Sequence, residues 1–74
     1  MKIEIKLSGV FRIDRFAREV RDYPDGTRVQ DVVNDLALPE QLLGIVVIND
    51  HHATVEHRLQ DGDCLMLLPL LGGG

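Results

Sequence analysis

Seventy-four residues, 45% hydrophobic and 27% charged, with a net charge of −4, describe one small globular domain. So short a chain closes over a small core with little room for an enclosed pocket, which argues against an independent catalyst and for a module that binds other proteins. The acidic balance disfavours nucleic acid as a partner, the lone Cys64 excludes an internal disulfide and points to a reducing cytoplasm, and neither a signal core nor a run long enough to span a bilayer is present.

Lys2-Ile3-Glu4-Ile5-Lys6-Leu7 alternates strictly, which predicts a half-buried strand with Ile3, Ile5 and Leu7 on the inner face. Ser8-Gly9 ends it. Residues 10–23 carry two patterns. Ile13, Phe16, Ala17 and Val20 have helical spacing, while Phe16, Arg18 and Val20 share a strand face ahead of the turn Tyr23-Pro24-Asp25-Gly26. The turn favours an irregular loop followed by a strand near 15–23. Arg12, Arg15, Arg18 and Arg21, four of the six arginines, recur every three residues and read as a solvated basic strip.

Thr27-Arg28-Val29-Gln30 has the form of a capping box, with Thr27 at the cap. Val29, Val32, Val33 and Leu36 follow at helical spacing, predicting a helix over 29–36 that covers the face of Ile3, Ile5 and Leu7. Residues 39–43 are expected to add one further turn after Pro39. Ile45-Val46-Val47-Ile48 reads as a buried strand, Asn49-Asp50 as a turn, and Ala53-Thr54-Val55 as a short return strand. Asp61-Gly62 centres a last turn before an apolar strand over 64–68. The order predicts an α+β fold, a sheet of four to five strands packed on one main helix, over residues 1–70. One helix covers one face. If the 45–48 and 64–70 segments lie side by side, their second face is apolar, and it is either open to a partner or covered by Phe11, Leu42 or Leu43.

The usual catalytic constellations are missing from the sequence. His51 and His52 are adjacent and point to opposite faces of a strand, and only His57 and Cys64 stand near enough in sequence to join them, a poor ligand set for zinc. Cys64 lies within an apolar strand and reads as a small packing residue. No nucleophile–base spacing or phosphate loop is present.

The chain closes on Leu71-Gly72-Gly73-Gly74. Glycines without Cβ make a strip thin enough to thread a narrow channel, with an ionised carboxylate at its end. Residues 71–74 are therefore expected to form a flexible tail. Its carboxylate is a weak electrophile that another enzyme has to activate.

The Leu59-to-Pro69 segment followed by Gly73-Gly74 resembles the ubiquitin-like sulfur carriers of the MoaD/ThiS family, and Tyr23-Pro24-Asp25-Gly26-Thr27-Arg28-Val29 resembles that family's turn into its helix. The likeness spans essentially the whole chain and is nearest to the small subunit of molybdopterin synthase. It implies a β-grasp fold. It also implies that an E1-like adenylyltransferase uses ATP to adenylate the Gly74 carboxylate, and that a sulfur donor then displaces AMP to leave a thiocarboxylate. Gly72 and Gly73 would thread the channel, and Leu65, Leu67 and Leu68 are the expected docking contacts. The synthase that takes the sulfur would be a molybdopterin synthase large subunit or a thiazole synthase. A protein modifier joined through Gly74 is the alternative.

Overall fold

The computed structural model describes residues 1–70. Five strands form one mixed sheet: β1 (Lys2–Leu7), β2 (Arg18–Asp22), β3 (Leu43–Ile48), β4 (His51–Ala53) and β5 (Cys64–Pro69). Their order across the sheet is β2-β1-β5-β3-β4. β1 and β5 run parallel at the centre, and the other pairs are antiparallel. One helix, α1 (Val29–Asp35), packs on the sheet. The core joins Val29, Val32, Val33 and Leu36 to Ile3, Ile5, Leu7, Leu65 and Leu67, so the helix covers the face expected of it.

The ambiguous segment resolves as a loop and then a strand. A 3-10 turn, Gly9–Arg12, swings Phe11 into the core, where it is fully buried. β2 is shorter than expected, and Phe16 precedes it. The helical spacing of 13–20 has no helix under it, because the charged flank of β2 pairs with β1 instead. The turn after Pro39 is a 3-10 turn over Glu40–Leu42.

The arginines at 15, 18 and 21 are spent on the fold. Arg15 donates through Nε to Leu36 O at 3.1 Å and through a terminal nitrogen to Ala37 O at 3.1 Å. It thereby satisfies carbonyls that the end of α1 leaves free. Arg18 pairs with Glu4, and Arg21 with Glu19 and Asp35. Arg21 also lies over the Phe16 ring, 5.3 Å from its centroid. Arg15→Ala is expected to cost about 1 kcal/mol, read as a lowered urea midpoint. Arg15→Lys should not restore it, because a single ammonium cannot reproduce the guanidinium fork.

The start of α1 differs from the expected capping box. Its cap is Arg28, one residue beyond Thr27, and Thr27 Oγ1 donates to Pro24 O at 2.7 Å. The first amides of the helix go to the main chain of the β4–β5 connection, Val29 N–H to His57 O at 3.0 Å and Gln30 N–H to Val55 O at 2.8 Å. Asp31 reaches back to the Arg28 N–H at 2.9 Å, completing the acidic half of the box. A tertiary contact has taken the place of a local cap, which no window of sequence contains.

Asn49 and Asp50 both have positive φ, 51° and 69°, as a two-residue hairpin loop requires. The return strand starts at once, at His51, rather than at Ala53. The Asn49 side chain then pins the start of β5, its Oδ1 accepting from Cys64 N–H and its Nδ2 donating to Asp63 Oδ1, each at 2.9 Å. Asp61 and Gly62 tie the same turn to Lys2. The start of the parallel β1–β5 pairing is thus held by the Asp61 side chain on Lys2 N–H together with main-chain bonds, Gly62 N–H to Lys2 O and Glu4 N–H to Asp63 O.

Candidate functional site

Alternation sorts the last strand into two faces. Leu65 and Leu67 are fully buried, while Cys64, Met66 and Leu68 are half-buried on the opposite face. Leu65 and Leu67 therefore belong to the core and cannot be docking contacts. Of the three leucines expected to dock, Leu68 alone faces outward. The sequence could not separate them, because both parities of 64–68 are apolar.

Register extends the outer face across the sheet. Met66 sits beside Lys6 on β1 and Val47 on β3, and Leu68 sits beside Ile45. Ile45 is 43% exposed, so the expectation of a wholly buried strand over 45–48 holds only for Val46 and Ile48. β3 and β5 do lie side by side, and their second face is an apolar stripe: Ile45, Leu68, Met66, Val47. Phe11 cannot cover it, being buried on the helix side, and Leu42 is 41% exposed. The stripe is bordered on β1 and β2 by Lys6, Glu4 and Arg18.

At the head of the stripe stands Cys64, next to Glu4. Burial pushes the Cys64 thiol up, and the neighbouring Glu4 carboxylate adds to the shift. Glu4 itself is held below the usual carboxylate range, first by its contact with Cys64 and then by Arg18. A thiol shifted upward is a poorer nucleophile at neutral pH, in keeping with Cys64 as a packing residue.

The histidines lie at the β4 edge of the sheet, near the same end as Cys64. His51, His52 and His57 line an open hollow of about 530 Å³ together with Asp63. Both Asp63 carboxylate oxygens are already engaged, by Asn49 and by Gln60 N–H. Among the described residues no cluster of three or more histidine, cysteine or carboxylate side chains could hold a metal ion. None of the described helices is long and apolar enough to cross a membrane.

β5 thus carries the outward apolar residues and runs on through Pro69 and Leu70 to Leu71-Gly72-Gly73-Gly74. Gly74, expected to react, and Gly72 and Gly73, expected to thread the channel, lie outside the described residues. Sequence reasoning missed Met66, Val47 and Ile45. The one available signal was the strict alternation of β1, which sets the parity of its neighbours once the register is known.

No curated protein sequence matches the chain. Solved structures do. A Pyrococcus furiosus protein assigned as molybdopterin converting factor, subunit 1, superposes with a TM-score of 0.78 at 21% identity, over 96% of this chain and 99% of that one. Small archaeal modifier protein 1 of Haloferax volcanii gives 0.77 at 21% identity, over 95% and 98%. A complex of subunits 1 and 2 of the molybdopterin-converting factor from Helicobacter pylori gives 0.66 at 22% identity, over the full length of both chains. At these identities the likeness establishes the fold, a ubiquitin-like β-grasp. Sequence establishes the family: residues 10–74 match the ThiS family, and the chain belongs to it.

Proposed function

We propose that the protein is a sulfur carrier for molybdopterin synthesis, acting through its Gly74 carboxylate. The observation that carries this reading is the continuity of β5: the strand that presents Met66 and Leu68 on an open sheet face leads directly into a Gly-Gly-Gly end. A partner that docks on the stripe has the carboxylate delivered to it by the same strand. Four residues beyond Leu70 reach at most about 14 Å when extended.

The chemistry is acyl activation. A carboxylate oxygen attacks the α-phosphorus of ATP on an E1-like adenylyltransferase, and pyrophosphate leaves. A sulfide-level nucleophile from the sulfur donor then attacks the acyl carbon; the C–S bond forms, the acyl C–O bond to phosphate breaks, and AMP leaves with that oxygen and the electron pair. The product is a thiocarboxylate, a soft nucleophile on a tether. The carrier is a co-substrate here and is regenerated after each transfer. Likeness to subunit 1 of the molybdopterin-converting factor, seen in complex with subunit 2 in Helicobacter pylori, favours a large synthase subunit as the receiving partner. Likeness to an archaeal modifier protein supports a second reading, conjugation of Gly74 to lysines of other proteins. A carrier for thiazole synthesis would use the same chemistry with another synthase.

The test is the intact mass after incubation with ATP, a sulfur donor and the host's activating enzyme. Replacement of one oxygen by sulfur in the C-terminal peptide is expected, and deletion of Gly74 should abolish it with the fold unchanged. An unmodified mass under conditions where the activating enzyme is competent would sink the carrier reading. Covalent adducts stable to denaturant and reductant would support the modifier.

A further inference from the structure

β5 leaves the sheet between two glycines. Gly44 stands in β3 opposite the end of β5, where the pairing register shifts between Leu43 and Ile45. A Cβ on Gly44 would lie 2.9 Å from Leu70 N, 3.0 Å from Leu70 Cα and 3.1 Å from the Pro69 carbonyl carbon. All three are backbone atoms, so none can swing aside as the end of a side chain could. Gly44 is not among the glycines with positive φ, so the missing side chain serves this close approach and no turn. From the other side, a Cβ on Gly9 would lie 3.0 Å from Pro69 Cγ. The gap left by these two glycines admits one further main-chain bond, Leu70 N–H to Leu42 O at 2.6 Å. The Leu70 side chain, 58% exposed, contributes little burial to holding it there.

The root of the C-terminal strip is therefore held through its backbone. Where that root is held matters, because four residues reach at most about 14 Å, so the position of Leu70 limits where the Gly74 carboxylate can be placed relative to a partner seated on the stripe. Misplacement of a reacting group by even about 1 Å can cost about a hundredfold in rate.

We propose that Gly44 is a positioning residue for acyl activation: by admitting the Pro69–Leu70 backbone against β3, it sets the direction in which the strip leaves the domain. This rests on Gly74 as the activated residue. An alanine at 44 would push Leu70 off Leu42 and re-aim the strip, while leaving Met66, Leu68 and Val47 in place on the docking face. The signature is a loss in kcat at unchanged KM, which a general loosening of the fold would not give.

The experiment compares the full-length wild type with Gly44→Ala, using ATP, a sulfide source and the host's activating enzyme. Thiocarboxylate formation is followed by intact mass, and hydrogen exchange at the Leu70 amide is measured on each carrier alone. KM is expected within about twofold of wild type and kcat reduced about tenfold to a hundredfold. Leu70 exchange should accelerate about tenfold or more as its bond to Leu42 opens. An unchanged kcat, or a loss carried by KM alone, would overturn the proposal. If the wild type accepts no sulfur, it is the carrier reading that fails. The exchange arm then decides on its own, with unchanged Leu70 protection overturning the placement of Gly44 and lost protection supporting it. Should Gly44→Ala lose cooperative unfolding, Leu70→Pro removes the same N–H without touching β3. The same split between kcat and KM is then expected, and a wild-type kcat would again overturn the proposal.

Discussion

Phe11→Ala is expected to leave much of the protein unfolded at room temperature. Phe11 heads the fully buried side chains by volume, and it reaches the core from a single 3-10 turn rather than from a strand or the α-helix. Its position depends on two weak main-chain bonds, Phe11 N–H to Ser8 O and Ile13 N–H to Val10 O, each at 3.2 Å. Truncating a buried phenylalanine to alanine costs about 3–5 kcal/mol, from lost transfer energy and the cavity left behind. A domain of this size holds about 3–5 kcal/mol in total, so the loss is comparable with the whole. Urea unfolding followed by far-UV circular dichroism measures it. Phe11→Leu, which keeps most of the volume, should cost far less than the alanine. A midpoint for Phe11→Ala close to wild type would show that the 9–12 turn is not part of the folding core.

Elements with one clean period were legible in the sequence. The alternation of 2–7 and the stripe 29-32-33-36 each bury one face only, so residue type and face agree, and both elements stand where they were expected. The open apolar face was legible too, since β3 and β5 have too much apolar surface for one helix to cover. Identity and orientation within that face were not. In 64–68 both faces are apolar, and only pairing with β1, whose Ile5 and Leu7 lie opposite Leu65 and Leu67, shows which leucines are inside. The cap of α1 was misread for a related reason. Thr27 is a good local cap, but the carbonyls of Val55 and His57, nearly thirty residues later, satisfy the first helical amides better. Arg12, Arg15 and Arg18 are exposed, as a solvated strip should be, but Arg15 also donates to Leu36 and Ala37, about twenty residues away, which the local pattern did not show. Gly44 lies within β3, which starts two residues ahead of the strand expected from Ile45, and it faces the Pro69–Leu70 backbone at the far end of the described chain. Each of these features concerns a contact distant in sequence, which composition and periodicity do not record.

Met66→Glu should separate docking from folding most sharply. Met66 lies at the middle of the outer stripe, between Lys6 and Val47, and is half-buried against its neighbours only. A carboxylate there finds water in the free carrier, and Lys6 stands beside it, so thermal stability should change little. In a complex whose partner covers the stripe, the same carboxylate is desolvated in an apolar contact. Residues central to such a contact commonly carry about 2 kcal/mol or more of binding energy, which is about a thirtyfold loss in affinity. Burial of an unpaired charge adds to it. Titration calorimetry against the activating enzyme and against the synthase large subunit, with circular dichroism melts alongside, is the measurement. Leu67→Glu is the contrasting variant. It places the charge in the core beside Leu7 and Val46, so it should fail by unfolding rather than by losing a partner. Lys6→Glu should act mainly on the association rate and its salt dependence, as a rim charge does. If Met66→Glu binds both partners as the wild type does, the stripe is not the docking face. If it binds one and loses the other, the two partners use different parts of the sheet, and the carrier is handed on without having to release its whole surface at once.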